Sequence, residues 1–172
     1  MSLDSLEKLF IEELRDIYNA EKQLTRALPR MAKAAESPQL QQAFTTHLKE
    51  TEGQIQRLER VFKEVGQAAR GKKCKGMEGL IEEGKEMMEE EGEPQVIDAA
   101  LIASAQKVEH YEIAAYGCLR TYAELLGYSG AAQLLEENLK EEEAADKKLT
   151  QLGEGGINKS AAMAGAGREE EE

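Results

Sequence analysis

Glu109 and Glu112 stand three residues apart in a helical pattern, as do Glu143 and Asp146 in another and His47 and Glu50 in a third. Side chains at this spacing share one helix face, with Cβ atoms about 5–6 Å apart. Each pair can therefore bridge or chelate cations held close together. A fourth pattern puts Glu21 in line with Leu14, Ile17, Leu24 and Leu28. Ionised carboxylates turned toward an apolar core are costly to bury unless a positive charge sits among them. The chemistry expected is the binding of two divalent ions, iron or manganese, by carboxylate oxygens with at most one imidazole.

The elements that position these groups are legible in the apolar spacing. The first pattern starts at Asp4 as N-cap and repeats Leu6, Phe10, Leu14, Ile17, Leu24, Leu28 and Met31, running to about Ala35 with Pro29 predicting a kink. Ser37-Pro38 marks a turn, and Leu40, Phe44, Leu48, Ile55, Leu58, Phe62 and Val65 carry the second pattern to a stop at Gly66. Residues 67–93 are long enough for a crossover and contain a short amphipathic piece with Met77, Leu80, Ile81, Met87 and Met88. Pro94 opens the third pattern, which ends at Gly127; Ser129 caps the fourth, which stops at Gly153. The expectation is an all-α, ferritin-like four-helix bundle over residues 1–153: two antiparallel hairpins joined by a long crossover with a short extra helix. Residues 154–172, rich in Gly, Ala and Glu, are expected to form a disordered tail.

Antiparallel helices place residues equidistant from their turn at one height. Folding about Gly127-Tyr128 sets Glu112 level with Glu143 and Glu109 level with Asp146, and folding about Ser37 sets Glu21 level with Glu50. The candidate metal ligands are thus Glu21, Glu50, Glu109, Glu112, Glu143 and Asp146, with His47 one turn before Glu50. Glu142 is an alternative to Glu143, because height does not separate neighbours. His47 is either a ligand or a core histidine donating to Thr51 or to a Glu. Gln54 faces the core behind the ligands, His110 points about 100° away from Glu109, and Tyr18, Tyr111, Tyr116 and Tyr122 are assigned to packing.

A formal net charge of −12 argues against nucleic acid and anionic membrane as partners, since both repel an acidic surface. No leader-like segment opens the chain, and no apolar run approaches the ~20 residues of a membrane span, which leaves the cytoplasm as the expected compartment. Cys74 falls in a polar connection and Cys118 on a helical apolar face; outside any CxxC spacing, both are expected as reduced thiols.

The runs Ala20-Glu21-Lys22-Gln23-Leu24, His47-Leu48-Lys49-Glu50-Thr51, Val108-Glu109-His110-Tyr111-Glu112-Ile113-Ala114 and Glu141-Glu142-Glu143-Ala144-Ala145-Asp146 resemble the YciE/YciF family of bacterial ferritin-like proteins, over about residues 2–153. The resemblance implies a cytoplasmic four-helix bundle, commonly a homodimer, related to rubrerythrin and associated with stress responses. Against the rubrerythrin pattern, Glu21 matches the first-helix ligand, Glu109 and Glu112 the third-helix pair, and Glu143 the first acid of the fourth helix. Asp146 stands where that pattern has His, and Gln54 near a place where relatives carry His. The Cys₄ module of rubrerythrin is missing. The functional expectation is a stress-protective protein with a dinuclear centre, whose turnover, if any, is metal oxidation coupled to reduction of O₂ or peroxide. The rivals are a non-enzymatic stress or interaction protein with an empty site and, third, a storage cage.

Overall fold

The computed structural model of the chain describes residues 3–164. Their regular structure is all helical: α1 (Leu6–Ala34), α2 (Pro38–Glu64), α3 (Lys75–Glu89), α4 (Pro94–Leu125), α5 (Ser129–Leu152), a π-helical turn at Gly153–Ile157, and α6 (Asn158–Ala164). Ser5, rather than Asp4, caps α1 by accepting from the Lys8 N–H at 3.2 Å; Asp4 instead pairs with the Lys8 ammonium. Helix α1 continues through Pro29, which lies on its exposed side. Ser37 caps α2 and Pro38 opens it, at the turn expected there. Gly66 and Gly127 end α2 and α4 with φ of 68° and 80°, a left-handed backbone that glycine adopts without steric cost.

Each long helix buries a seam spaced alternately by three and four residues. In α1 it runs Phe10, Leu14, Ile17, Glu21, Leu24, Leu28, Met31, and in α2 Leu40, Phe44, His47, Thr51, Gln54, Leu58, Val61. Burying each large apolar side chain stabilises the bundle by about 1.5–3 kcal/mol. Glu21, His47, Thr51 and Gln54 take seam positions that would contribute this much if apolar, and their clustering marks one height of the bundle as polar.

Helices α1, α2, α5 and α4 pack in a ring, each against the next. The chain leaves α2 beside the start of α1 and returns through α3, which lies along α4 with Gly84 packed against the Ser104 side chain. Helix α4 then begins beside the α1–α2 turn, where buried Asp98 accepts from the backbone N–H groups of Glu36 and Ser37, both at 2.8 Å. At the opposite end Tyr128 donates to Glu7 at 2.9 Å. Two antiparallel hairpins joined by a crossover helix are therefore observed, and this topology brings four seams to one height.

Four further expectations are corrected. Residues 154–164 continue as the π-turn and α6, which packs on α4, instead of belonging to a tail; the acidic finish Glu169–Glu172 lies outside the described residues. Cys74 is buried, capping α3 and meeting the Tyr111 hydroxyl at 3.0 Å, whereas Cys118 is exposed; both are free thiols. Tyr111 also donates to Asp16 at 2.7 Å, so it anchors the crossover rather than merely filling space. Ser129 is the first residue of α5 and gives it no side-chain cap.

Candidate metal centre

Helix α5 decides which acids meet. Its seam runs Ala131, Leu135, Asn138, Glu142, Leu149, and heptad spacing from Leu135 to Glu142 to Leu149 carries the inward face through Glu142. Glu143, one residue and about 100° further round, is exposed. Asp146 falls on the flank facing α4, where it accepts from Gln106 at 3.2 Å and lies 3.3 Å from His110 Nε2. Neither is in the buried cluster, which corrects the choice of Glu143 over Glu142 and the inclusion of Asp146. Hairpin height fixes position along a helix and leaves rotation about its axis open; the heptad relation was the signal that resolves it.

The cluster comprises His47, Glu109, Glu112 and Glu142, each offering a ligand atom within 4.8 Å of the others, all four buried. His47 Nε2 lies 3.2 Å from Glu109 and 3.4 Å from Glu142, while Nδ1 is 3.1 Å from Glu50, the half-exposed acid at its edge. Glu21 approaches from α1, fully buried, one oxygen accepting from the Tyr116 hydroxyl. Tyr116 is thus part of the site, a role that a phenol at a seam position does not announce in sequence. Of the expected ligands, His47, Glu109 and Glu112 lie in the buried cluster, while Glu50 borders it through His47 Nδ1 and Glu21 through Tyr116.

Burial dominates the electrostatics. It pushes the Glu21 carboxyl up to about 7, against the pull of the Tyr116 hydroxyl and His47. Glu112 and Glu142 are raised well above the carboxylate range, by burial first and then by neighbouring acids. For His47, burial would favour the neutral ring, but Glu109, Glu50 and Glu142 together outweigh it and favour the imidazolium. One imidazole is the only cationic group the protein supplies to five acids here, among the described residues.

Hydrogen bonding gives a direct test of whether cations fit. Glu109 Oε2, Glu21 Oε2 and both oxygens of Glu112 and Glu142 are buried without a hydrogen-bond partner. Buried polar atoms are nearly always satisfied, and a cluster of unsatisfied ones asks for an explanation. Six hard oxygen donors and an imidazole suit divalent ions such as iron, manganese or magnesium. On the same face of α2, Thr51 Oγ1 and both polar atoms of the Gln54 amide are likewise buried and unpartnered.

An all-helical bundle with an imidazole among buried carboxylates defines the class. The family model described as a domain of unknown function, DUF892, matches residues 5–162, and the chain belongs to this family. It is similar to Protein YciF of Escherichia coli, 53% identical over 162 residues that cover 94% of this chain and 98% of the relative. Among solved structures, the E. coli stress protein YciF superposes with a TM-score of 0.88 at 52% identity, covering 91% of this chain and 99% of that one. YcfI of Rhodopseudomonas palustris does so with 0.84 at 47% identity, covering 87% and 97%. A protein of Xanthomonas campestris shares the fold at 23% identity, with a TM-score of 0.72. The family read from the four sequence runs is the one found.

Proposed function

We propose that the chain is a ferritin-like, stress-protective protein that holds two divalent ions, iron or manganese, with Glu21, Glu50, Glu109, Glu112, Glu142 and His47 as the ligand set. The observation that carries this reading is the group of buried, unpartnered carboxylate oxygens around a single imidazole. Without cations these acids must take up protons to stay buried, which wastes seam positions that apolar residues would fill with a gain in stability. The E. coli relative is described as a stress protein, and the family resemblance extends the proposal to a cytoplasmic homodimer.

When bound, the ions would supply redox or Lewis-acid chemistry toward O₂ or peroxide. The protein's own part is positional. Tyr116 fixes one oxygen of Glu21, and His47 Nδ1 faces Glu50, so a ring that ligates through Nε2 would keep its remaining proton directed at Glu50. The apolar seams above and below keep bulk water from the buried acids.

Metal analysis with thermal unfolding tests the reading. About two ions per chain are expected, with a melting temperature that drops on chelation, because a ligand bound only to the folded state must raise it. Metal-free protein as isolated, indifferent to added Fe²⁺ or Mn²⁺, overturns the reading in favour of an empty site.

A further inference from the structure

The seam between α2 and α5 is closed at one height and open at another. Near Gln54, Arg57 crosses it to Asn138, Glu137 and Glu141. Toward the α1–α2 turn, small residues face each other across it, Ala43 on α2 and Ala144 and Ala145 on α5. Their short side chains leave a cleft of about 570 Å³ that reaches the interior. This is the size of a small-molecule pocket.

The cleft has a chemical polarity. Its inner walls are apolar, formed by Leu24, Leu28 and Met31 of α1 and by Ala105 and Val108 of α4. One end is formed by His47, Glu50 and Glu109 of the candidate centre. Glu109 is 2% exposed, and its Oε2 is among the buried atoms without a hydrogen-bond partner. Gln39, Gln42, Thr46 and Lys148 supply further polar groups to the lining. An apolar side chain inserted by a second copy would cover the walls but bring no polar group to the His47, Glu50 and Glu109 end. A slender molecule with an apolar chain and one hydrogen-bonding end satisfies both.

We propose that this cleft binds a small aliphatic molecule, its chain on Leu24, Leu28 and Met31 and its polar end at His47 and Glu109. This deepens the di-metal reading by giving the centre an organic ligand class, and it rests on that reading only for what the polar end meets. The cleft itself is built by protein alone.

The test uses the full chain, the fluorescent apolar probe N-phenyl-1-naphthylamine and 1-decanol as competitor. One saturable probe site per chain is expected, emptied by decanol. Ala145→Trp and Ala43→Trp, which fill the mouth from opposite helices, should each weaken probe binding at least tenfold while bound metal and the unfolding midpoint stay near wild type. Absence of saturable binding, or binding unchanged in both variants, overturns the assignment. So does a wild-type dimer that refuses the probe and becomes monomeric in Ala145→Trp, since the cleft is then a subunit contact. Probe binding that persists in protein holding no metal upholds the cleft and removes the metal reading alone.

Discussion

Two acidic clusters sit on the α2–α5 seam only a few helical turns apart, and they are neutralised in different ways. In one, Arg57 donates to Glu141 through two nitrogens at 2.6 and 2.9 Å and reaches Glu137 and Asn138, with roughly a quarter of its side chain open to solvent. The guanidinium fork satisfies its acids with protein atoms alone. In the other, Glu21, Glu109, Glu112 and Glu142 are wholly buried around one imidazole, with oxygens left unpartnered. The same chain builds a self-sufficient acid cluster where it needs stability and an insufficient one where, on our reading, it needs cations.

The sharpest way to separate the two clusters is to remove acids one at a time and count ions. Glu109→Ala and Glu142→Ala are expected to lower bound metal at least tenfold, whereas Glu143→Ala, on an exposed face, should leave it unchanged by elemental analysis. Equal loss in all three would mean that α5 turns Glu143 inward in solution.

Next in size is a pH effect confined to the buried cluster. Glu21 titrates near 7 when folded, against an ordinary 4.5, and Glu112 and Glu142 shift in the same direction. Between these values the folded state binds more protons than the unfolded state, so the stability of stripped protein falls as pH rises from about 4.5 through about 7, by a few kcal/mol. His47 acts with the same sign, its raised value meaning that its contribution is lost as pH rises through it. Chelated protein should therefore melt at a lower temperature at pH 8 than at pH 5. Metal-loaded protein should show a flatter or opposite slope, because ions replace the protons. A rise in Tm with pH for stripped protein would contradict the account.

A smaller effect is expected at the self-sufficient cluster. Arg57→Met should cost about 1–2 kcal/mol in denaturant unfolding, since Glu141 can partly rehydrate, and bound metal should not change. Smallest is Asp146→Asn, whose partners Gln106 and His110 lie on the rim. Within about 0.5 kcal/mol of wild type, with unchanged metal, is the outcome that keeps it outside the centre.

The sequence carried the bundle and its topology well, because heptad-spaced Leu, Ile and Phe, Ser37-Pro38, Gly66 and Gly127 are local signals for faces, caps and turns. Spacing within α4 also marked Glu109 and Glu112 as one inward pair, and both lie in the buried cluster. Rotation of α5 was harder: Leu135, Leu139 and Leu149 leave a stripe wide enough to admit either Glu142 or Glu143 until Leu149 is aligned with Leu135. The roles of Tyr116 and Tyr111 were not legible, because a phenol at a buried position packs alike whether or not its hydroxyl finds Glu21 or Asp16. The helix after Gly153 was hidden by glycines, whose low propensity was outweighed by packing against α4.

The central claim is tested most directly by diffraction from crystals of untreated protein, recorded on both sides of the iron and manganese absorption edges. The account predicts two anomalous peaks between His47, Glu109, Glu112 and Glu142, with Glu21 and Glu50 on their outer sides. Ordered water alone among these carboxylates, with no anomalous signal even after soaking in either metal, would contradict it.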